Sequence, residues 1–99
     1  MKNFEGKVAV VTGAASGIGR ATALRLAARG CRIALADLDR GGLDSLVEEL
    51  TQSGATASIH IVDVSASSQM EGFARDVEAR YGAVDLLINN AGVAIAGTF

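Results

Sequence analysis

The sequence predicts an α/β fold in which strands and helices alternate and the strands form one parallel sheet. Short runs of β-branched and other apolar residues alternate with longer stretches at helical spacing. Glycine occurs 12 times and separates these segments, whereas proline is absent. Because crossovers between parallel strands are right-handed, helices are expected on both faces of a doubly wound sheet. Four strands and three helices are predicted, with the strand order 3-2-1-4.

The first part of the chain predicts a strand, a helix and a second strand. Residues 7–12 form a β-branched run between Gly6 and Gly13, typical of a strand buried on both faces. Residues 16–29 are rich in alanine and leucine, and Gly30 can adopt the left-handed conformation that ends a helix. Residues 31–36 are again apolar and end at Asp37, so they predict the second strand.

The middle of the chain predicts a second helix and a third strand. Asp39 can cap the helix, which ends at Gly54 and has an apolar face formed by Leu43, Leu46, Val47 and Leu50. Residues 57–62 predict the third strand, which ends at Asp63.

The last part predicts a third helix and a fourth strand. Ser68 and Glu71 have the spacing of a capping box, which would start the helix there. Gly82 closes the helix, and its apolar residues at helical spacing are Met70, Phe73, Ala74, Val77 and Tyr81. Residues 84–89 predict a fourth, buried strand, and residues 90–99 are loop-like.

Composition and charge exclude several classes of function. With 49% apolar and 20% charged residues, the chain has the composition of one soluble globular domain. The net charge of -2 and scattered basic residues argue against a nucleic-acid partner. No apolar run approaches the roughly 18 residues of a membrane span, and no secretion signal is visible, so a cytoplasmic protein is expected. Cys31 and His60 are the only residues of their types, which predicts no disulfide and no metal site.

A glycine-rich turn between the first strand and the first helix indicates a binding site for a dinucleotide. Gly13 suits a tight reversal, Gly17 keeps side chains away from a pyrophosphate, and Gly19 permits close packing of helix on strand. The unpaired N–H groups of the helix start would then face the phosphates. The candidate phosphate-binding residues are Gly13, Ser16, Gly17, Ile18 and Gly19. A simple tight turn is the alternative interpretation, and the missing Lys-Ser/Thr ending argues against a nucleoside-triphosphate loop.

Asp37, at the end of the second strand, is placed where an acidic residue binds the cofactor's ribose in a Rossmann-type fold. A carboxylate there accepts hydrogen bonds from ribose hydroxyls and repels a 2'-phosphate, so NAD is predicted over NADP. Arg40 is close in sequence and can swing toward a phosphate, which keeps NADP as the alternative. A loop or capping role for Asp37 is the other interpretation.

Asp63 and Val64 follow the third strand and are candidates for binding adenine. Asp63 could accept a hydrogen bond from the amino group while the Val64 N–H donates to the ring. A turn before the third helix explains the same residues equally well. Because Gly13, Asp37, Asp63 and Asn89 all lie at carboxyl ends of strands, one crevice is expected to collect them.

Together these residues resemble the short-chain dehydrogenase/reductase family, in its single-domain branch. The resemblance is carried by the pattern at residues 12–19, by Asp37, by Asp63-Val64, and by Asn89-Asn90-Ala91-Gly92. It implies that residues 1–99 are the N-terminal dinucleotide-binding part of one Rossmann-fold domain. It also implies that Asn89, Asn90, Ala91 and Gly92 brace the sheet beside the cofactor's ribose. The residues alone allow a buried asparagine pair that satisfies backbone groups at a strand end.

The resemblance further implies hydride transfer between a nicotinamide and an alcohol or carbonyl substrate, with a homo-oligomeric parent protein. The family's catalytic tyrosine, followed four residues later by lysine, lies downstream of the Asn-Asn-Ala-Gly stretch. Tyr81 is followed at that position by Asp85, so it is predicted to be a packing residue. The chain is expected to be an inactive fragment without catalytic residues, whose apolar run 86–88 would be an aggregation-prone sheet edge. A non-catalytic dinucleotide-binding or regulatory module is the alternative. A long-chain epimerase fits less well because its glycine loop has different spacing.

Overall fold

The computed structural model describes residues 4–90, which form four strands and three helices in strict alternation. Their order and bounds are β1 (Val8–Thr12), α1 (Gly17–Ala28), β2 (Arg32–Asp37), α2 (Arg40–Gln52), β3 (Ala57–Ile61), α3 (Ser67–Tyr81) and β4 (Leu86–Asn89). Every predicted element is present. The predicted loop at 90–99 lies outside the described residues except for Asn90.

All strand pairs are parallel, and the sheet order is β3-β2-β1-β4. The predicted order is therefore confirmed. In the register, Thr12 pairs with Ala36 on one side and Asn89 on the other. The carboxyl ends of the three neighbouring strands consequently lie side by side, which places the segments that follow them along one edge of the sheet.

Alternate strand residues face the two sides of the sheet and build two cores. On one side, strand residues such as Val11, Ile33 and Leu35 belong to the same cluster as the α2 residues Leu43 and Leu46. On the other side, the buried residues are Val8, Val10, Ala34, Ala36, Val62, Phe73, Val77 and Tyr81. Helices therefore cover both faces, as the doubly wound arrangement requires.

The helix starts were predicted with mixed success. Asp39 caps α2, because its Oδ1 accepts a hydrogen bond from Gly42 N at 3.0 Å. The predicted capping box of Ser68 and Glu71 is wrong, since α3 begins at Ser67 and its N-cap residue is Ala66, which makes no side-chain capping hydrogen bond. A turn that begins at Asp63 brings the chain into helical geometry before Ser68 is reached, with Ala66 N donating to the Asp63 carbonyl at 3.0 Å.

The prediction that the fourth strand is buried is also wrong for the described residues. Along β4 half-buried and exposed side chains alternate, and Leu87 is 64% exposed. The physical reason is that β4 pairs only with β1, and within residues 4–90 no strand pairs with its outer edge. Across the same described part of the chain, no helix has the length and apolarity to cross a lipid bilayer.

Candidate functional site

The glycine-rich turn has the backbone geometry that its spacing predicts. Gly13 and Gly17 have φ angles of 65° and 34°, a region that disfavours side chains. A Cβ at Gly19 would overlap the backbone carbonyl oxygen of Gly13, so the start of α1 lies directly on the turn. A Cβ at Gly17 would meet no atom of residues 4–90 within 4 Å. The turn thus packs tightly on its protein side and leaves open space beside Gly17.

Asp37 joins this turn to the segment after β2. Its Oδ2 accepts a hydrogen bond from Ala15 N at 3.0 Å, and its Oδ1 accepts one from Asp39 N at 3.0 Å. Asp37 therefore acts as a loop aspartate, which was one of the two interpretations of the sequence. Since each carboxylate oxygen has two lone pairs, the side chain can still accept further hydrogen bonds.

A cavity of about 280 Å³ lies between the ends of β1, β2 and β3. Its lining residues are Gly13, Asp37, Leu38, Val62, Asp63, Val64 and Ser65. It brings together four of the predicted cofactor-binding residues, one of which comes from the glycine turn. Ser16 and Ile18 do not line it; both are exposed near the start of α1, and Ser16 makes no capping hydrogen bond.

Asp63 lines this cavity and is held in a compact turn. Its Oδ1 accepts hydrogen bonds from both the backbone N and the Oγ of Ser65, at 2.9 and 2.6 Å. These bonds hold the pKa of the Asp63 carboxyl below its ordinary value. At neutral pH the group is therefore an anion that only accepts hydrogen bonds. Gln69 holds the same residue from α3, because its Oε1 accepts from Asp63 N at 2.9 Å.

The asparagine stretch begins at the opposite side of the site. Thr12 Oγ1 donates to Asn89 Oδ1 at 2.8 Å, which ties the carboxyl ends of β1 and β4 together. Asn89 is exposed, so the two asparagines are not a buried pair. The Asn90 Nδ2 atom is buried and has no hydrogen-bond partner among the described residues. Ala91 and Gly92 lie outside the described residues.

Two structural side-chain contacts escaped prediction because they join distant parts of the sequence. Asp85 Oδ2 accepts a hydrogen bond from Val8 N at 2.9 Å and pins the amino end of β4 to β1. The Tyr81 hydroxyl is buried, donates to the Ile33 carbonyl at 3.1 Å and lies 2.6 Å from Ser58 Oγ. Tyr81 is therefore a packing residue, as predicted.

His60 lies on β3 and is half-buried. Its Nε2 lies 2.8 Å from Ser58 Oγ, and its ring packs edge-on against Phe73 with centroids 5.1 Å apart. Burial, with a further contribution from Arg80, lowers the pKa of His60. The Tyr81 hydroxyl donates its single proton to the Ile33 carbonyl, so in its contact with Ser58 it is the acceptor and Ser58 Oγ is the donor. Because Ser58 Oγ has no second proton, it accepts a hydrogen bond from His60, and Nε2 is the ring nitrogen that carries the proton.

The remaining candidates have simple structural roles. Cys31 is buried, and burial raises the pKa of its thiol, so it is a small core residue. On the exposed surface of α2, Arg40 Nε lies 3.8 Å from Asp44 Oδ2. Within residues 4–90, no group of three or more potential ligand side chains is arranged to hold a metal ion.

Comparison with known proteins agrees with this fold. The family model described as short chain dehydrogenase matches residues 7–99. The chain therefore belongs to the short chain dehydrogenase family.

Individual relatives are longer than this chain. D-threitol dehydrogenase from Mycolicibacterium smegmatis is 42% identical over 91 residues, which are 92% of this chain and 35% of that protein. Other curated relatives are covered by as little as 15% of their length.

Solved structures show the same fold. A short chain dehydrogenase/reductase from Burkholderia phymatum, in complex with NAD, superposes with a TM-score of 0.84 and 42% identity over 88% of this chain and 31% of that one. A metagenomic short-chain oxidoreductase in complex with NADP gives a TM-score of 0.85 and 43% identity, over 90% of this chain and 40% of the other.

Proposed function

We propose that residues 1–99 are the N-terminal dinucleotide-binding part of a single Rossmann-fold domain in an NAD(P)-dependent oxidoreductase. Family membership supports this proposal, and so do the relatives whose structures contain NAD or NADP. The bound dinucleotide would supply the hydride donor or acceptor. The parent protein would act on a small alcohol or carbonyl compound, in the cytoplasm and as a homo-oligomer.

The observation that carries the proposal is the position of the Asp37 carboxylate. It lines the 280 Å³ cavity together with Gly13 and accepts a hydrogen bond from the glycine turn. A dinucleotide whose phosphates lie over that turn would therefore bring its ribose to Asp37. The carboxylate would accept hydrogen bonds from ribose hydroxyls, as the sequence predicts.

The other residues would divide the dinucleotide between them. Backbone N–H groups around Ser16, Gly17, Ile18 and Gly19 would bind the phosphates, because the start of α1 offers unpaired donors and a positive dipole end. Asp63 and Val64 would bind the adenine edge. Asn89 and Asn90, followed by Ala91 and Gly92, would pass the second ribose, and the buried unpartnered Asn90 amide is a donor suited to that role.

We further propose NAD as the preferred cofactor. A 2'-phosphate beside Asp37 would place two negative charges close together, which costs about 4 kcal/mol for unit charges 4 Å apart at an effective dielectric of about 20. Solvent screens the two charges at this partly exposed site. We therefore expect NAD and NADP to differ by about 1.4 kcal/mol in binding free energy, which is equivalent to tenfold in affinity. Arg40 is exposed, and its Nε lies 3.8 Å from Asp44 Oδ2, so part of its charge is already offset by that carboxylate.

Proton transfer would be performed by residues other than 4–90. Tyr81, the only tyrosine, donates its hydroxyl proton to the Ile33 carbonyl inside the core and is 8% exposed. It does not line the cavity beside Asp37. No described residue is therefore proposed as catalytic.

Calorimetric titration of the full-length protein with NAD and with NADP tests the proposal. The wild type should bind NAD about tenfold more tightly, and Asp37→Asn should bring the two affinities close together. Asp39→Asn is the matched control, because it removes the same charge two residues away, outside the cavity, and should preserve the ratio. Absence of binding to either dinucleotide would contradict the function, and an unchanged ratio in Asp37→Asn would contradict the role of Asp37.

A further inference from the structure

Gln69 makes an unusual connection between a helix and the site. It lies in the first turn of α3 and is exposed, so core packing does not explain its position. Its Oε1 accepts a hydrogen bond from the backbone N of Asp63 at 2.9 Å. The two residues are six positions apart, and the bond therefore ties the start of α3 back to the end of the preceding strand.

The other hydrogen bonds of this turn leave one part of Asp63 available. Ser65 N and Ser65 Oγ both donate to Oδ1, and Ala66 N donates to the main-chain carbonyl. Among residues 4–90, nothing donates to Oδ2. Asp63 is thus fixed through its N–H, its carbonyl and one carboxylate oxygen, while the second oxygen can accept a hydrogen bond from a ligand.

We propose that Gln69 is a positioning residue for recognition of the adenine base, acting through Asp63; this rests on the proposed function. Asp63 lines the 280 Å³ cavity, whereas Gln69 lines a separate cavity beside His60 and Asp76. Gln69 would therefore not touch the base. It would hold the Asp63 backbone so that the free carboxylate oxygen meets the amino group of adenine.

This role makes a prediction about the base and not only about affinity. An ionised carboxylate accepts hydrogen bonds but cannot donate, so it favours adenine, which presents an amino group. Hypoxanthine presents a carbonyl oxygen at the same ring position and would face Asp63 without a hydrogen bond. Precise placement of Asp63 should therefore determine the preference for NAD over nicotinamide hypoxanthine dinucleotide.

The experiment measures calorimetric affinities of both dinucleotides for the full-length protein and two variants of Gln69. Gln69→Ala removes the acceptor and should lower the preference for NAD about three- to tenfold, the usual effect of one hydrogen bond. Gln69→Glu keeps an acceptor oxygen and should restore the preference. Gln52→Ala is the control, since Gln52 is exposed at the end of α2 and its side chain, within the described part of the chain, hydrogen-bonds only to Glu48.

The outcomes separate the inference from the function it rests on. If Gln69→Ala weakens both dinucleotides equally, Gln69 merely stabilises the turn and the inference is overturned. The same holds if its preference equals that of the wild type. If the wild type binds neither dinucleotide, the proposed function fails and the inference fails with it. Melting temperatures recorded alongside identify any variant that is unfolded, in which case Gln69→Leu, of similar size, takes its place.

Discussion

The close approach of α1 to the glycine turn makes Gly19→Ala a severe test of the structure. A Cβ at this position would overlap the Gly13 carbonyl oxygen and come within 3.1 Å of the Ala14 Cα. Both atoms belong to the backbone, so no flexible side chain can move aside. Overpacking of this kind costs about 1–3 kcal/mol, and a rigid backbone neighbour places it near 3.

Helix propensity acts in the opposite direction. Alanine is better than glycine inside a helix by about 1 kcal/mol, which leaves a net loss of about 2 kcal/mol. Gly72→Ala is the matched control, because Gly72 lies within α3 and its added Cβ would meet, among the described residues, only the Arg75 guanidinium at 3.9 Å. That variant should gain the propensity term of about 1 kcal/mol without a clash.

Urea unfolding of the wild type and both variants measures the difference directly. Gly19→Ala should lower the free energy of unfolding and Gly72→Ala should raise it, so the variants should differ by about 3 kcal/mol. Gly19→Ala should also lose dinucleotide affinity, because the displaced turn carries the proposed phosphate-binding amides. Equal stabilisation of the two variants would show that the turn does not pack on α1 as described.

Three further perturbations address other parts of the molecule. Asp39→Ala removes the α2 cap and should lower the free energy of unfolding by about 1 kcal/mol, whereas Asp39→Asn keeps a capping oxygen and should retain most of the wild-type stability. Tyr81→Phe leaves the buried Ser58 hydroxyl without its acceptor and should cost about 1–3 kcal/mol, measured by urea unfolding. Burial lowers the pKa of His60 in the folded state. The contribution of neutral His60 to the free energy of unfolding is therefore complete above about pH 6.5, and it is lost as the pH falls through the folded-state pKa.

Each of these predictions has a result that contradicts it. A stable Asp39→Ala variant would mean that Gly42 N finds another acceptor. A neutral Tyr81→Phe variant would show that Ser58 is satisfied in another way. For His60, the difference in unfolding free energy between the wild type and His60→Gln should shrink as the pH is lowered from 7.5 to 5. A constant difference would show that protonation of His60 does not affect stability in this range.

Prediction of the fold from sequence succeeded where the information is local. Glycines bound β1 and end α1, and the apolar spacing of Leu43, Leu46 and Leu50 matches the buried face of α2. The parallel order followed from strand–helix alternation and the right-handed crossover rule. These features follow from residues a few positions apart and from the order of the elements, so they can be predicted from the sequence alone.

Prediction failed where contacts join distant residues or compete locally. Ser68 has the spacing of a cap, but the Asp63 turn starts α3 earlier. The exposure of Leu87 depends on which elements cover β4, and the Asp85–Val8 bond spans 77 positions. In the site, the clustering of Asp37 and Asp63 was foreseen from strand ends, whereas the contribution of Gln69 was not. The binding roles themselves stay predictions.

The two hydrogen bonds that Asp37 accepts would constrain any attempt to reverse the proposed cofactor preference by protein engineering. Replacing Asp37 with alanine would remove the negative charge and would also leave the Ala15 N–H without its acceptor. The order of the loop and the proposed cofactor preference would therefore change together. A successful redesign would need a neutral side chain that still caps this amide, such as asparagine or serine, together with a new cation for the phosphate. In the proposed binding mode the Asp37 carboxylate would select the cofactor and also order the loop, so a change toward NADP would have to remove the charge while it preserves these hydrogen bonds.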